Sequence, residues 1–193
     1  MANRIKVKQI SSGIETSGKT ILTNGSGGFT FGYANVEKGI TFPSSPVSGD
    51  TYYRTDVAEL FYYDAGRAKW LTIKKNSFSC GRSLLAAGTT GYMYVGNAVQ
   101  TSANGFRMPY NGTILSASIH NSTTATGSRT LDIRVNNSTT NRIQLTVTTG
   151  NNGISITNGN LNFSANDLIQ CVLLGGADGY NDIIVTFEIA RRI

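Results

Sequence analysis

Only a few residues in this sequence have the chemistry for catalysis or metal binding. His120 is the single histidine, and it follows Ser118 and Ile119 at the end of an alternating segment. No Glu or Cys stands at a ligand-like spacing from it, so it reads as a strand-end side chain, not a general base or a metal ligand. Asp50, Asp56, Glu59 and Asp64 fall close together. Two carboxylates across a cleft would suit glycoside hydrolysis, but Gly49 with Asp50, and Asp64 with Ala65 and Gly66, are turn pairs in which Asp bonds its own backbone. Asp178, Asp182 and Glu188 lack the regular oxygen-ligand spacing of a calcium loop. The glycines at 25, 27 and 28 are not followed by Lys-Ser/Thr, which excludes a phosphate-cradling loop. Cys80 and Cys171 have no CxxC pattern and read as buried free thiols, not as a disulfide framework or a metal site. No catalytic set, cofactor site or metal site is expected.

What must be positioned, then, is surface. The chain has 193 residues, of which 15% are charged. Gly, Ser, Thr and Asn stand where helix-favouring Glu, Lys and Gln would usually be, and Thr, Ile, Val and Tyr are plentiful. The composition predicts an all-β protein. The net charge of +6 is spread along the chain with no basic block, which argues against nucleic-acid binding. No segment is apolar over a membrane-spanning length, so no membrane insertion is expected. The opening MANRIKVKQISSG lacks the apolar core of a signal peptide, which predicts a chain made in a cytoplasm without an export signal of its own.

Three regions follow. Residues 1–41 are glycine-punctuated, with short β pieces at Thr20 to Leu22 and Phe29 to Phe31. Such a stretch buries too little area to order itself and is expected to be an extended attachment or stem segment held by another copy or a larger assembly. Residues 42–75 form an aromatic β-meander, expected to be a neck module, with strands at 51–54, 60–63 and 69–73 separated by turns. Tyr52, Tyr53, Leu60, Phe61, Tyr62, Tyr63 and Trp70 are its packing residues, because so small a sheet depends on aromatic cross-strand pairs. Alternation puts Tyr52 and Tyr53, and likewise Tyr62 and Tyr63, on opposite faces. Residues 76–193 form the third region. It opens on a small-residue connector at 76–91 and continues as a jelly-roll β-sandwich. About eight strands are expected, near 92–95, 106–108, 113–120, 129–136, 142–148, 153–157, 160–163 with 168–174, and 182–190. Leu168 to Leu174 is apolar on both faces, which predicts that one face meets a neighbouring subunit. The polar turns 121–128, 136–141, 150–152 and 175–181 suit adaptable contact, with Asn121, Thr124, Asn137, Asn151, Asp178 and Tyr180 as candidate receptor-contact residues.

Pro46, Gly49-Asp50, Tyr52 to Asp56, Leu60 to Asp64 and Trp70 to Ile73 together resemble a small module of bacteriophage tail and fibre proteins. Upstream, ILTNGSGGFTFG is similar to the glycine-rich punctuation that precedes such modules, with Phe31 where a Trp is more usual. Met108 to Ile114, Asn166-Asp167 and Phe187 to Ile189 are similar to the trimeric jelly-roll heads of phage fibres and tumour-necrosis-factor-like domains. The resemblance implies a homotrimeric structural protein of a virion, assembled in the host cytoplasm. Its partners would be its own copies, other capsid or tail proteins, and a host surface glycan or protein. Arg4, Lys6 and Lys8 would serve virion attachment. A head fibre or capsid decoration is the first expectation. A tail fibre or receptor-binding tip is the second, and a polysaccharide-degrading fibre the third.

Overall fold

The computed structural model describes residues 19–23, 29–33 and 36–193. The chain divides into two compact units, one ending at Lys38 and one spanning Gly39–Ile193. In the first unit, β1 (Lys19–Thr23) and β2 (Phe29–Tyr33) pair antiparallel, with Ile21 opposite Phe31. The short β pieces expected there are thus partners of each other. Strand β3 (Glu37–Gly39) straddles the division.

The second unit is all-β among its described residues. Two antiparallel hairpins open it: β4 (Thr51–Arg54), β5 (Glu59–Asp64) and the first part of β6 (Lys69–Leu85). Each hairpin loop is four residues long and ends on an alanine at positive φ, Ala58 at 54° and Ala68 at 51°. The sandwich adds β7 (Gly91–Tyr92), β8 (Tyr94–Val95), β9 (Ala98–Val99), β10 (Phe106–Arg107), β11 (Gly112–His120), β12 (Arg129–Val135) and β13 (Arg142–Val147). It closes with β14 (Gly153–Ile156), β15 (Leu161–Phe163), β16 (Leu168–Leu174) and β17 (Tyr180–Arg192). One sheet runs β14-β11-β17-β6-β5-β4, with β15 also on β11 and the β8–β9 hairpin touching β6 where Tyr94 pairs Gly81. The other runs β10-β16-β12-β13, with β7 on β16. Alternation along β11, β12, β16 and β17 turns Ile119, Ile133, Cys171, Val185 and Phe187 inward, where all are buried.

Two expectations are corrected. The connector expected over 76–91 is strand as far as Leu85. Asn76, Ser77, Ser79, Gly81 and Ser83 carry little β preference of their own, but β17 supplies a paired register from Leu71 to Leu85. Neck meander and sandwich therefore share one uninterrupted strand. The second correction concerns β16. Its outward residues Gln170 and Val172 are buried within the single chain, Val172 standing in register between Asp132 and Tyr92. Asp132 is itself covered: Arg134 Nε and Nη2, Arg142 Nη1 and Gln144 Nε2 all donate to its carboxylate at 2.8–3.0 Å. The double burial of β16 does not call for a second copy.

Candidate functional site

The carboxylates that could have formed an acid pair are each engaged locally. Asp50 accepts from the Val47 amide at 2.8 Å and closes the turn that Gly49 makes at φ 91°. Asp56 takes both Arg54 Nε and Nη2, at 2.9 and 2.8 Å. That bond to Arg54 holds its carboxyl below the usual range. Asp64 binds Arg67, and Glu59 binds Arg191 at 2.9 Å. Glu188 accepts from Ser116 Oγ at 2.9 Å, and Asp182 from Ser122 Oγ at 3.3 Å. His120 ends β11 with its side chain exposed. Among the described residues no cluster of His, Cys, Asp and Glu is arranged to hold a metal ion.

The meander's aromatics split between two jobs. Tyr52, Phe61 and Trp70 are buried together with Tyr63 and Val57 at their margin. Phe42, which the strand pattern does not single out, stacks on Trp70 at 4.7 Å and 2° and meets Phe61 edge-on at 5.2 Å. The signal for it was its place immediately before Pro43, beside the aromatic run. Tyr62 points the other way and packs on Leu71, Leu115 and Ala190, against the sandwich. Leu60 is half-buried and Tyr53 exposed. Arg67 adds polar ties to the sandwich, donating to the Gly159 carbonyl at 2.7 Å and the Leu115 carbonyl at 3.4 Å. Lys69 reaches Asn160 and, at 2.7 Å, Asn162. The meander is thereby fixed to the sandwich and offers no open row of stacked rings.

The candidate contact turns gather mainly at the opposite end. Strand β6 leaves the meander at Lys69 and ends at Leu85, which pairs with Tyr180. The start of β17 and the loop before it are therefore remote from the neck. Three of the four polar turns meet there. The Ala125 amide donates to the Asn151 carbonyl at 2.8 Å, and the Gly150 amide to the Ala125 carbonyl at 2.9 Å. The Ser122 amide donates to the Asn181 carbonyl at 3.1 Å. Asp178 ties two of the loops by accepting from the Thr126 hydroxyl and amide and, at 2.7 Å, the Gly127 amide. Those bonds, the one from the Thr126 hydroxyl foremost, hold its carboxyl below the usual range, with Arg129 at 3.6 Å adding to the effect.

Thr124 and Asn151 are exposed on this end, and Asp178 organises it. Asn121 and Tyr180 are corrections: both are fully buried. The Tyr180 hydroxyl binds the Thr130 amide and the Leu174 carbonyl at 2.7 and 2.9 Å, so it braces the sandwich and is not available for contact. Asn137 belongs to the fourth turn, at the far end of β12. There, half-buried, it accepts from Tyr92 Oη at 2.8 Å and its amide donates to Gln170 Oε1. Arg4, Lys6 and Lys8 lie outside the described residues.

No protein-family model matches the sequence, and no curated protein matches it. In structure it is similar to PRD1 vertex protein P5, with TM-score 0.40 and 15% identity over 61% of this chain and 96% of that one. It is also similar to a protein of Bacillus endospore appendages, described as disulfide-linked pili, with TM-score 0.36 and 14% identity over 64% of this chain and 91% of that one. A third likeness is to FLHE, with TM-score 0.34 and 11% identity over 62% and 98%.

Proposed function

We propose that the chain is a structural, non-enzymatic protein of a phage particle. It displays a jelly-roll head whose distal loops are its contact surface, in three copies and on the outside of the virion. The observation that supports this most is strand β6. By running unbroken from the aromatic neck into the sandwich, it makes a stiff mount with three adaptable loops gathered at the end away from the neck. The resemblance of Pro46 to Ile73 to fibre modules supports the particle, and the engagement of each meander carboxylate in a turn or ion pair weighs against polysaccharide cleavage. Triplicate display would let individually weak loop contacts gain avidity. A head fibre or capsid decoration is the first reading. A tail fibre or receptor-binding tip is the second reading, favoured by the adaptable loop chemistry. Immunogold labelling of intact particles with an antibody against residues 92–193 separates them. Gold on the head supports the first reading, gold on the tail supports the second, and unlabelled particles overturn both.

A further inference from the structure

Three cationic side chains converge on one short segment of the sandwich, Gly159 to Phe163, beside the neck. Arg67 Nε donates to the Gly159 carbonyl at 2.7 Å. Lys69 Nζ donates to Oδ1 of Asn160 and, at 2.7 Å, to Oδ1 of Asn162. Arg192 Nη2 donates to the Phe163 carbonyl at 3.4 Å. The heads of Lys69 and Arg192 are thus anchored on adjacent residues of β15. Strand register agrees with this. Arg192 stands opposite Leu71 on β6, so Lys69, two residues along, is its diagonal neighbour.

The charges of this cluster do not balance. Asp64 is ion-paired with Arg67, and among the described residues no carboxylate side chain is ion-paired with Lys69 or Arg192. Partial burial first, and then the charges of Arg192 and Arg67, hold the Lys69 ammonium below its ordinary pKa, with Asp64 opposing them. The hydrogen-bonding capacity left over is all of one kind. Lys69 has three N–H groups and spends two on the asparagines. Because an ammonium only donates, both asparagines turn Oδ1 to it and keep Nδ2 to donate elsewhere. Asn162 Oδ1 also accepts from the Thr113 hydroxyl at 2.9 Å. Arg192 Nε has no partner. Asn160 and Asn162 are exposed, and Lys69 and Arg192 are half-buried, so a ligand can reach the cluster. A sugar hydroxyl would bring donors as well as acceptors. A rim of donors with two unpaired positive charges suits a dianion that only accepts.

We propose that Lys69, Asn160, Asn162 and Arg192 form a binding site for a tetrahedral oxyanion of the phosphate or sulfate type. Lys69 gives its remaining N–H, the asparagines their Nδ2 groups, and Arg192 the terminal N–H groups of its guanidinium. Arg67, held by Asp64, adds field and not contact. The bound anion bridges β6 of the neck to β15 and β17 of the sandwich, on the side away from the distal loops.

The test titrates the full chain with sodium phosphate and, separately, sodium sulfate, each against sodium chloride at equal ionic strength. The side-chain NH2 signals of Asn160 and Asn162 are followed in 15N spectra. At least one of the two oxyanions should shift both signals saturably, with half-saturation in the millimolar range or below, while chloride does not. Saturation by phosphate alone assigns the site to phosphate groups, by sulfate alone to sulfate groups, and by both to their shared geometry. Lys69→Gln and Arg192→Gln should each weaken binding about ten-fold or more. Asn160→Asp, which sets a carboxylate beside Lys69, should abolish the Asn162 shift. Lys74→Gln, at an exposed lysine of the same strand, should stay within about two-fold of the wild type. Equal shifts in chloride, shifts that never saturate, or a loss with Lys74→Gln as large as with Lys69→Gln would overturn the site. The wild-type titrations decide the matter even where a variant folds poorly.

Discussion

Asp178 is the residue on which the distal loops depend. Its carboxylate spans two loops through Thr126 and Gly127, and its pKa lies below the ordinary value because the charged form receives those hydrogen bonds. A carboxyl depressed in the folded state stabilises it above the ordinary carboxylate range, and that contribution is lost as pH falls through the lowered pKa. Asp178→Asn should therefore speed amide hydrogen exchange at Thr126 and Gly127 at neutral pH while the sandwich amides keep their protection. Unchanged exchange at both would contradict the assigned role. Trp70 carries the corresponding burden in the neck, where Phe42, Tyr52 and Tyr63 pack on it. Trp70→Ala should cost about 3–5 kcal/mol in denaturant unfolding, whereas Tyr53→Ala at the exposed position should stay within about 0.5 kcal/mol. At the hairpin loops, alanine at positive φ is strained, and Ala68→Gly should gain about 1 kcal/mol by the same assay.

Strand β6 is the element that makes neck and sandwich one body, and Arg67 is its polar clamp. Arg67→Met would leave the Gly159 and Leu115 carbonyls without that donor, at a cost of about 1–3 kcal/mol. In 15N relaxation the meander and sandwich should share one rotational correlation time, and two separate times would contradict the continuous strand. Much of this element level was legible beforehand. Leu131, Ile133 and Val135 alternate with Asp132 and Arg134, and β12 lies where that alternation puts it. Tyr62 and Tyr63 were placed on opposite faces, and they pack in different clusters. The second half of β6 was not legible, because Ser77, Ser79 and Gly81 owe their extended form to β17, a partner remote in sequence. Loop composition led to exposed positions at Thr124 and Asn151. It failed for Asn121 and Tyr180, because residue type does not say which way a side chain turns. That Cys80 and Cys171 share one core cluster depends on the packing of two sheets, which no local pattern records.

The purified chain should sediment at about three times its 20.6 kDa mass at micromolar concentration, as avid display requires. A chain that stays at its single-copy mass over that range would remove the avidity argument. Capsular polysaccharide incubated with the protein should keep its chain length, and release of oligosaccharide would restore the enzymatic reading. Quantitative mass spectrometry of density-gradient-purified virions from cells that make this chain decides whether the protein is part of a particle. The chain should band with the particles at a fixed copy number divisible by three. Recovery solely in the soluble lysate, with none in the particle band, would show that it is not a virion component.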